Sequence, residues 1–347
     1  MFKCVKYTDL LRDEWDEFAL STGTIFHMSA FRQILLSSFG YRCGYHAIVD
    51  KHNHICAIIP LIVGRNLWLK NAGVSLPFVN YTDICAGSEE ALQFAMAAIL
   101  ELKNKYGLDY IELRLKDQDL DSSVWRLNLE NHTFVLPLTD GEEKVLSLAT
   151  SSCRNHVRKT YKNNWFTVSF DINHMDAFYR VYIKRMKQLG SPAPDIRFFK
   201  NFFKYLPENT FLLTVLDKAT GNVIGGMLLL TSPGNATVYY PYGANFVEYN
   251  SKYLNNFMYW EAVRFGIRNE MKYLDLGRSQ TGSGTYKYKE QWGAQAVQLK
   301  YLVYNGCGED TGPPDRVRLS FFVGLWKKSP SFITGKVGKQ LIKYLMP

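Results

Sequence analysis

Two stretches of this 347-residue chain repeat one another at a fixed spacing. Tyr110-Ile111-Glu112-Leu113 and Tyr273-Leu274-Asp275-Leu276 lie 163 positions apart, and Phe94 and Phe257 in the segments before them keep the same interval. A hairpin pattern precedes each, VDKHNHICAIIPL in the first half and LDKATGNVIGGML in the second, with Asp-Lys opening both turns. A hairpin, a helix and a strand recurring in one order point to an internal duplication. The chain is therefore expected to be α/β (α+β), two copies of one unit with mixed sheets flanked by helices. The expected domains are 1–150 and 151–307, with a basic and aromatic tail over 308–347.

Local patterns supply the elements of each copy. In the first, the sequence predicts helices over 10–19 and 29–38, a hairpin of 45–49 and 54–63, and a strand over 110–114. Leu92, Ala95, Met96, Ile99 and Leu102 recur at helical spacing and predict a helix over 89–106, closed by Gly107. In the second, strands are expected over 211–216, 223–230 and 237–242, then a helix over 252–269 and a strand over 273–276.

The hydrophobic content, 47%, is that of a globular protein. Six cysteines stand scattered, without a CxxC pair or a Cys/His cluster, so neither a disulfide framework nor a metal site is expected. The N-terminus carries acidic residues and no apolar h-region, and the longest apolar run, Ile55 to Val63, falls short of the ~20 residues a bilayer requires. A cytoplasmic location follows as the expectation, with peripheral contact on the inner membrane as a secondary one. The formal charge of +9 suits an anionic partner such as a nucleotide, a diphosphate, tRNA or an anionic lipid surface; DNA is not expected. Arg154 and Arg158 share a helix face with no acidic residue between Arg154 and Lys162, and an anion on that face would offset their repulsion. A solvated helix face is the plainer reading.

The richest stretch runs from Asp275 to Ala294. Gly282 and Gly284 let a backbone turn and expose its N–H groups; Ser279, Ser283 and Tyr286 add hydroxyls, and Arg278 and Lys289 add charge, as an anion or oxyanion site requires. A flexible surface loop would use similar residues. Asp275 and Glu112 are candidate bases, each also suited to a structural role at a strand end.

In this stretch, Asp275-Leu276-Gly277-Arg278-Ser279 followed by Tyr288-Lys289-Glu290-Gln291-Trp292-Gly293-Ala294 resembles the FemAB-related proteins of PEP-CTERM and exosortase systems. Weaker matches, among them Leu76-Pro77-Phe78-Val79-Asn80-Tyr81 and Leu189-Gly190-Ser191-Pro192, extend over nearly the whole chain. The resemblance implies a BioF2-like fold of two tandem GNAT-like domains and transfer of an acyl or aminoacyl group to an amine of an envelope or exopolysaccharide precursor. It assigns stabilisation of the developing negative charge to Lys289, with Trp292 packing below. Acyl-CoA and aminoacyl-tRNA both remain open as co-substrate, and no tightly bound cofactor is expected. Tyr242, beside Pro241, would line the pocket, because in GNAT-type sheets the acyl donor docks where strands splay; an aromatic stripe filling the core is the plainer reading for any single tyrosine here.

The expected binding set is thus Arg278, Ser279, Gly282, Ser283, Gly284, Tyr286, Trp292, Tyr242, Arg154 and Arg158, around a catalytic Lys289. A non-catalytic protein holding tRNA or a lipid-linked sugar in a basic groove is the competing reading. The tail, with Trp326 among its lysines, would either cap the second domain or lie on an anionic membrane that presents a lipid-linked substrate.

Overall fold

The computed structural model describes residues 2–67, 69–118, 124–305 and 323–346. It divides into two compact units, one of Met1–Glu130, Gln298–Leu319 and Gln340–Pro347, the other of Asn131–Val297 and Ser320–Lys339.

The first unit contains β1 (Lys3–Lys6), α1 (Arg12–Thr22), α2 (Ser29–Phe39), β2 (Arg42–Val49), β3 (Ile55–Arg65), β4 (Asn71–Ser75), β5 (Cys85–Ala86), α3 (Glu89–Tyr106), β6 (Tyr110–Leu115) and β7 (Arg126–Asn128). The second contains β8 (Asn131–Pro137), α4 (Gly141–Leu148), α5 (Ser151–Lys162), β9 (Phe166–Ser169), α6 (Met175–Leu189), α7 (Ile196–Tyr205), β10 (Thr210–Asp217), β11 (Val223–Ser232), β12 (Thr237–Asn245), α8 (Leu254–Arg268), β13 (Tyr273–Asp275), β14 (Ser279–Gln280) and α9 (Gly284–Glu290). β15 (Gln295–Gln298), β16 (Lys300–Asn305) and α10 (Ser331–Leu345) follow.

Both units form the same kind of sheet. β1-β2-β3-β4-β6 in one and β9-β10-β11-β12-β13 in the other are antiparallel except for the last pair, where β4 and β12 run parallel to the strand that follows the long helix. β6 and β13, which carry the repeated tetrapeptides, thus hold the same sheet position. α3 shows why the pattern is legible. Ser88 accepts a hydrogen bond from Ala91 N–H, Glu89 and Glu90 occupy the positive end, Leu92, Ala95, Ile99 and Leu102 are buried, and Gly107 closes the helix in the left-handed region.

The expected boundary at 150 shifts to Glu130, for a reason visible in the next strand of each sheet. Beside β13 lies β8, from the end of the first repeat, with Leu136 opposite Leu274; beside β6 lies β16, from the end of the second, with Leu302 opposite Leu113. Each copy hands this strand to the other sheet. Leu136 and Leu302 are both buried in the core of the sheet that receives them.

Of the tail, Gly308 to Phe322 lies outside the described residues. Residues 323–328 are helical, and Val323 reaches Gly190 while Lys339 Nζ meets Asp195 Oδ2 at 2.9 Å, so this part covers the α6–α7 connection. Ile342 and Met346 are buried in turn. Among the described residues no helix is long and apolar enough to cross a membrane.

Candidate active site

The second sheet opens between β12 and β13. They pair only through Thr237–Tyr239 and Tyr273–Asp275, after which β13 ends while β12 continues to Asn245. On the other side of β12, pairing steps from Leu230–Tyr239 to Leu228–Tyr242, which leaves Tyr240 and Pro241 in a bulge. Proline is at home there, having no N–H to give the ladder. The bulge also breaks the alternation of side chains. Tyr240 meets Tyr259 of α8 edge-on at 5.5 Å, whereas Tyr242 meets Phe198 and Phe199 of α7 at 5.4 and 5.6 Å.

Lys289 stands at the β13 side of this opening and is only 5% exposed. Its Nζ donates to Gly277 O at 2.7 Å and Arg278 O at 3.1 Å, and lies 5.6 Å from the Phe134 ring centroid. Burial lowers its pKa to about 8, against the attraction of Asp275. Asp275 turns one oxygen to Thr133 Oγ1 and Gly277 N–H, both at 2.7 Å. A buried ammonium and a buried carboxylate therefore fix the same short segment, Gly277–Arg278, from two directions.

Beneath lies an aromatic floor. Trp292, 1% exposed, stacks on Tyr259 with centroids 5.7 Å apart, and Tyr288 meets the same ring edge-on at 5.2 Å. The Trp292 indole N–H lies beside the Tyr288 hydroxyl without hydrogen-bond geometry, and neither has another partner among the described residues. Burial raises the phenols of Tyr240, Tyr259 and Tyr288 well above their ordinary value, so all three stay protonated.

The chain has structural counterparts among known proteins. The family model of an acetyltransferase (GNAT) domain matches residues 151–290. The crystal structure of FemX, 14% identical, superposes with a TM-score of 0.66 over 87% of this chain and 97% of that one. The tandem GNAT protein from the clavulanic acid biosynthesis pathway, 9% identical, gives 0.56 over 89% and 100%. The L-PGS structure from Bacillus licheniformis, 10% identical, gives 0.55 over 86% and 96%. This is a tandem GNAT fold. No protein of curated function matches the sequence.

Within the tandem GNAT fold, the expected site residues separate into groups. Arg278, Ser279, Gly282, Ser283, Gly284, Tyr286, Lys289 and Trp292 do gather in one loop and helix. Arg278 is exposed, whereas Ser279 is buried in β14 with its Oγ lacking a partner among the described residues. Ser283 caps α9 by accepting from Tyr286 N–H, Gly282 takes a left-handed turn, and Gly284 is exposed at the helix start. Tyr286 packs edge-on against His132 and Phe134, so it supports the loop.

Tyr242 is elsewhere, in the aromatic cluster under α7, because the bulge turns it to the face opposite α8. Arg154 has main-chain partners. Its Nη1 donates to Ser147 O at 3.2 Å and Ala149 O at 2.5 Å, at the junction of α4 and α5. That junction also carries the end of α9, since Thr150 N–H donates to Gln291 O at 2.8 Å. Gly293 sits against it with φ of +71°, where a Cβ would stand 2.5 Å from Leu148 O. Arg154 thus positions the turn that holds Trp292, while Arg158 is exposed on α5. Of the candidate bases, Glu112 is bound by Arg114 Nε at 2.7 Å and by the Tyr110 hydroxyl at 2.5 Å in the first unit. Sequence reading missed Tyr259 and Thr133, which carry no local motif.

Proposed function

We propose that the chain is an acyltransferase of GNAT/Fem type, moving an acyl or aminoacyl group from acyl-CoA or aminoacyl-tRNA to an amine of a cell-envelope or exopolysaccharide precursor. The acceptor class follows from the resemblance to FemAB-related proteins of PEP-CTERM and exosortase systems. The observation that carries the chemistry is Lys289, a buried cation fixed where two strands part above an aromatic floor.

The amine nitrogen attacks the acyl carbonyl carbon, a C–N bond forms, and the bond from that carbon to the donor's sulfur or oxygen breaks. Negative charge grows first on the carbonyl oxygen. An ammonium held in a dry site stabilises it with little reorganisation. Because Nζ already serves Gly277 and Arg278, Lys289 contributes charge and loop position together. The departing donor takes one proton, the one the attacking amine gives up, passed directly or through a neutral phenol of Tyr240, Tyr259 or Tyr288 that is reprotonated as it donates.

Single-turnover transfer, with donor and acceptor saturating, tests this reading. Lys289→Met removes the charge and should slow transfer by roughly a hundredfold or more. It also leaves two buried carbonyls without their donor, so its melting temperature should fall, in line with a loss of about 1–3 kcal/mol. Lys289→Arg keeps the charge and should recover part of the rate. Near-normal transfer in Lys289→Met would remove the lysine from the chemistry, and a ligand bound without any turnover in the wild type would favour the basic-groove reading.

A further inference from the structure

A cavity of about 520 Å³ opens in the second unit between α6 and the C-terminal segment. That volume is in the range of small-molecule sites. Arg180, Ile183, Lys184 and Lys187 reach it from one face of α6, at the spacing of successive helical turns, and Trp326 and Lys327 form part of the opposite wall.

No carboxylate is among its described lining residues. Glu248, which holds Lys184 at 2.7 Å, lies outside the lining. Arg180 and Lys187 thus flank the Lys184–Glu248 pair on α6, and Lys327 faces them from the opposite wall. A phosphate suits such a wall, because arginine and lysine give it charge-assisted hydrogen bonds. Ile183 and Trp326 add apolar surface that a bare phosphate would not use.

The far wall is built into the fold. Gly190 ends α6 with φ of +83°, and a Cβ there would stand 2.5 Å from Val323 Cγ1 and 3.0 Å from Lys327 Cε. Only a glycine lets the tail approach so closely, and the Lys339–Asp195 ion pair fixes it further along.

We infer that this cavity binds a phosphate group carried on an apolar body, the phosphate among Arg180, Lys187 and Lys327 and the apolar part against Ile183 and Trp326. A membrane lipid and a soluble phosphorylated amphiphile share that chemistry. The inference does not depend on acyl transfer, since its readout is binding.

Calorimetric titration of the full chain with decyl phosphate, inorganic phosphate and decyl glucoside, all below micelle formation, tests it. Decyl phosphate should bind at least tenfold more tightly than either of the others. Lys187→Gln with Lys327→Gln should weaken it tenfold or more, while Trp326→Ala should weaken decyl phosphate and leave inorganic phosphate unchanged. The wild-type comparison decides even where a variant misfolds. Equal binding of the three probes, or undiminished binding to a folded double variant, would overturn the assignment. Co-sedimentation with phosphatidylglycerol but not phosphatidylcholine vesicles, lost in Trp326→Ala, identifies a lipid source; decyl phosphate binding without vesicle preference identifies a soluble one.

Discussion

Lys289 gives the proposed chemistry a pH dependence whose sign can be worked out. Its pKa in the folded chain is about 8, below the ordinary 10.5, because burial disfavours the charged form. If the ammonium is the working species, transfer should fall as pH rises through about 8, while deprotonation of the acceptor amine produces the rising limb. Lys289→Arg, which stays charged throughout, should lose the falling limb. The stability effect has the opposite slope. The folded state holds this proton less tightly than the unfolded chain, so the buried charge costs stability below about pH 8, and that cost is relieved as pH climbs toward 10.5. A pH–rate profile of both proteins, taken with melting curves, checks the two slopes separately. The plain aspartate next door, Asp275, is committed to Thr133 and Gly277 and so acts on the loop.

At the scale of elements, the turn after α9 joins the motif to the rest of the unit. Gly293→Ala would force a side chain into the left-handed region and against Leu148 O, and should destabilise the protein by about 1–3 kcal/mol, with slowed transfer as Lys289 loses its support. Melting curves and transfer rates of this variant check the coupling; a wild-type melt would show that the turn yields freely. How much of this was legible beforehand varies with the physics of each element. α3 and the β10–β11 hairpin carry their own caps, periods and turns, so the chain spells them out locally. The gathering of Arg278 to Trp292 was legible for the same reason, being a single continuous stretch. The face that Tyr242 takes was not, because a bulge at Tyr240–Pro241 changes it, and alternation alone does not reveal it. The contacts of Arg154 Nη1 were not, because main-chain carbonyls have no sequence identity.

For the molecule as a whole, the strand exchange decides which fragments can fold. The stretch 151–297 lacks β8, so it loses Phe134 and Leu136 from its core and leaves β13 with an unpaired edge. A fragment of 131–297 should melt cooperatively, and one of 151–297 should aggregate or melt without a transition; circular dichroism and light scattering distinguish them. Equal cooperativity would mean that β8 is dispensable. The repeat made the two units legible, but the exchange was hidden, since nothing in 131–137 or 300–305 says which of two similar sheets a strand will join. The same exchange sets a timetable for synthesis. The first sheet lacks its neighbour to β6 until Lys300–Asn305 has been made, whereas the second has β8 to β13 in hand earlier. At roughly 5–20 residues per second, the N-terminal half waits on the order of ten seconds or more with β6 exposed. In this chain the half translated first is the half completed last, and a nascent-chain chaperone would find its longest opportunity there.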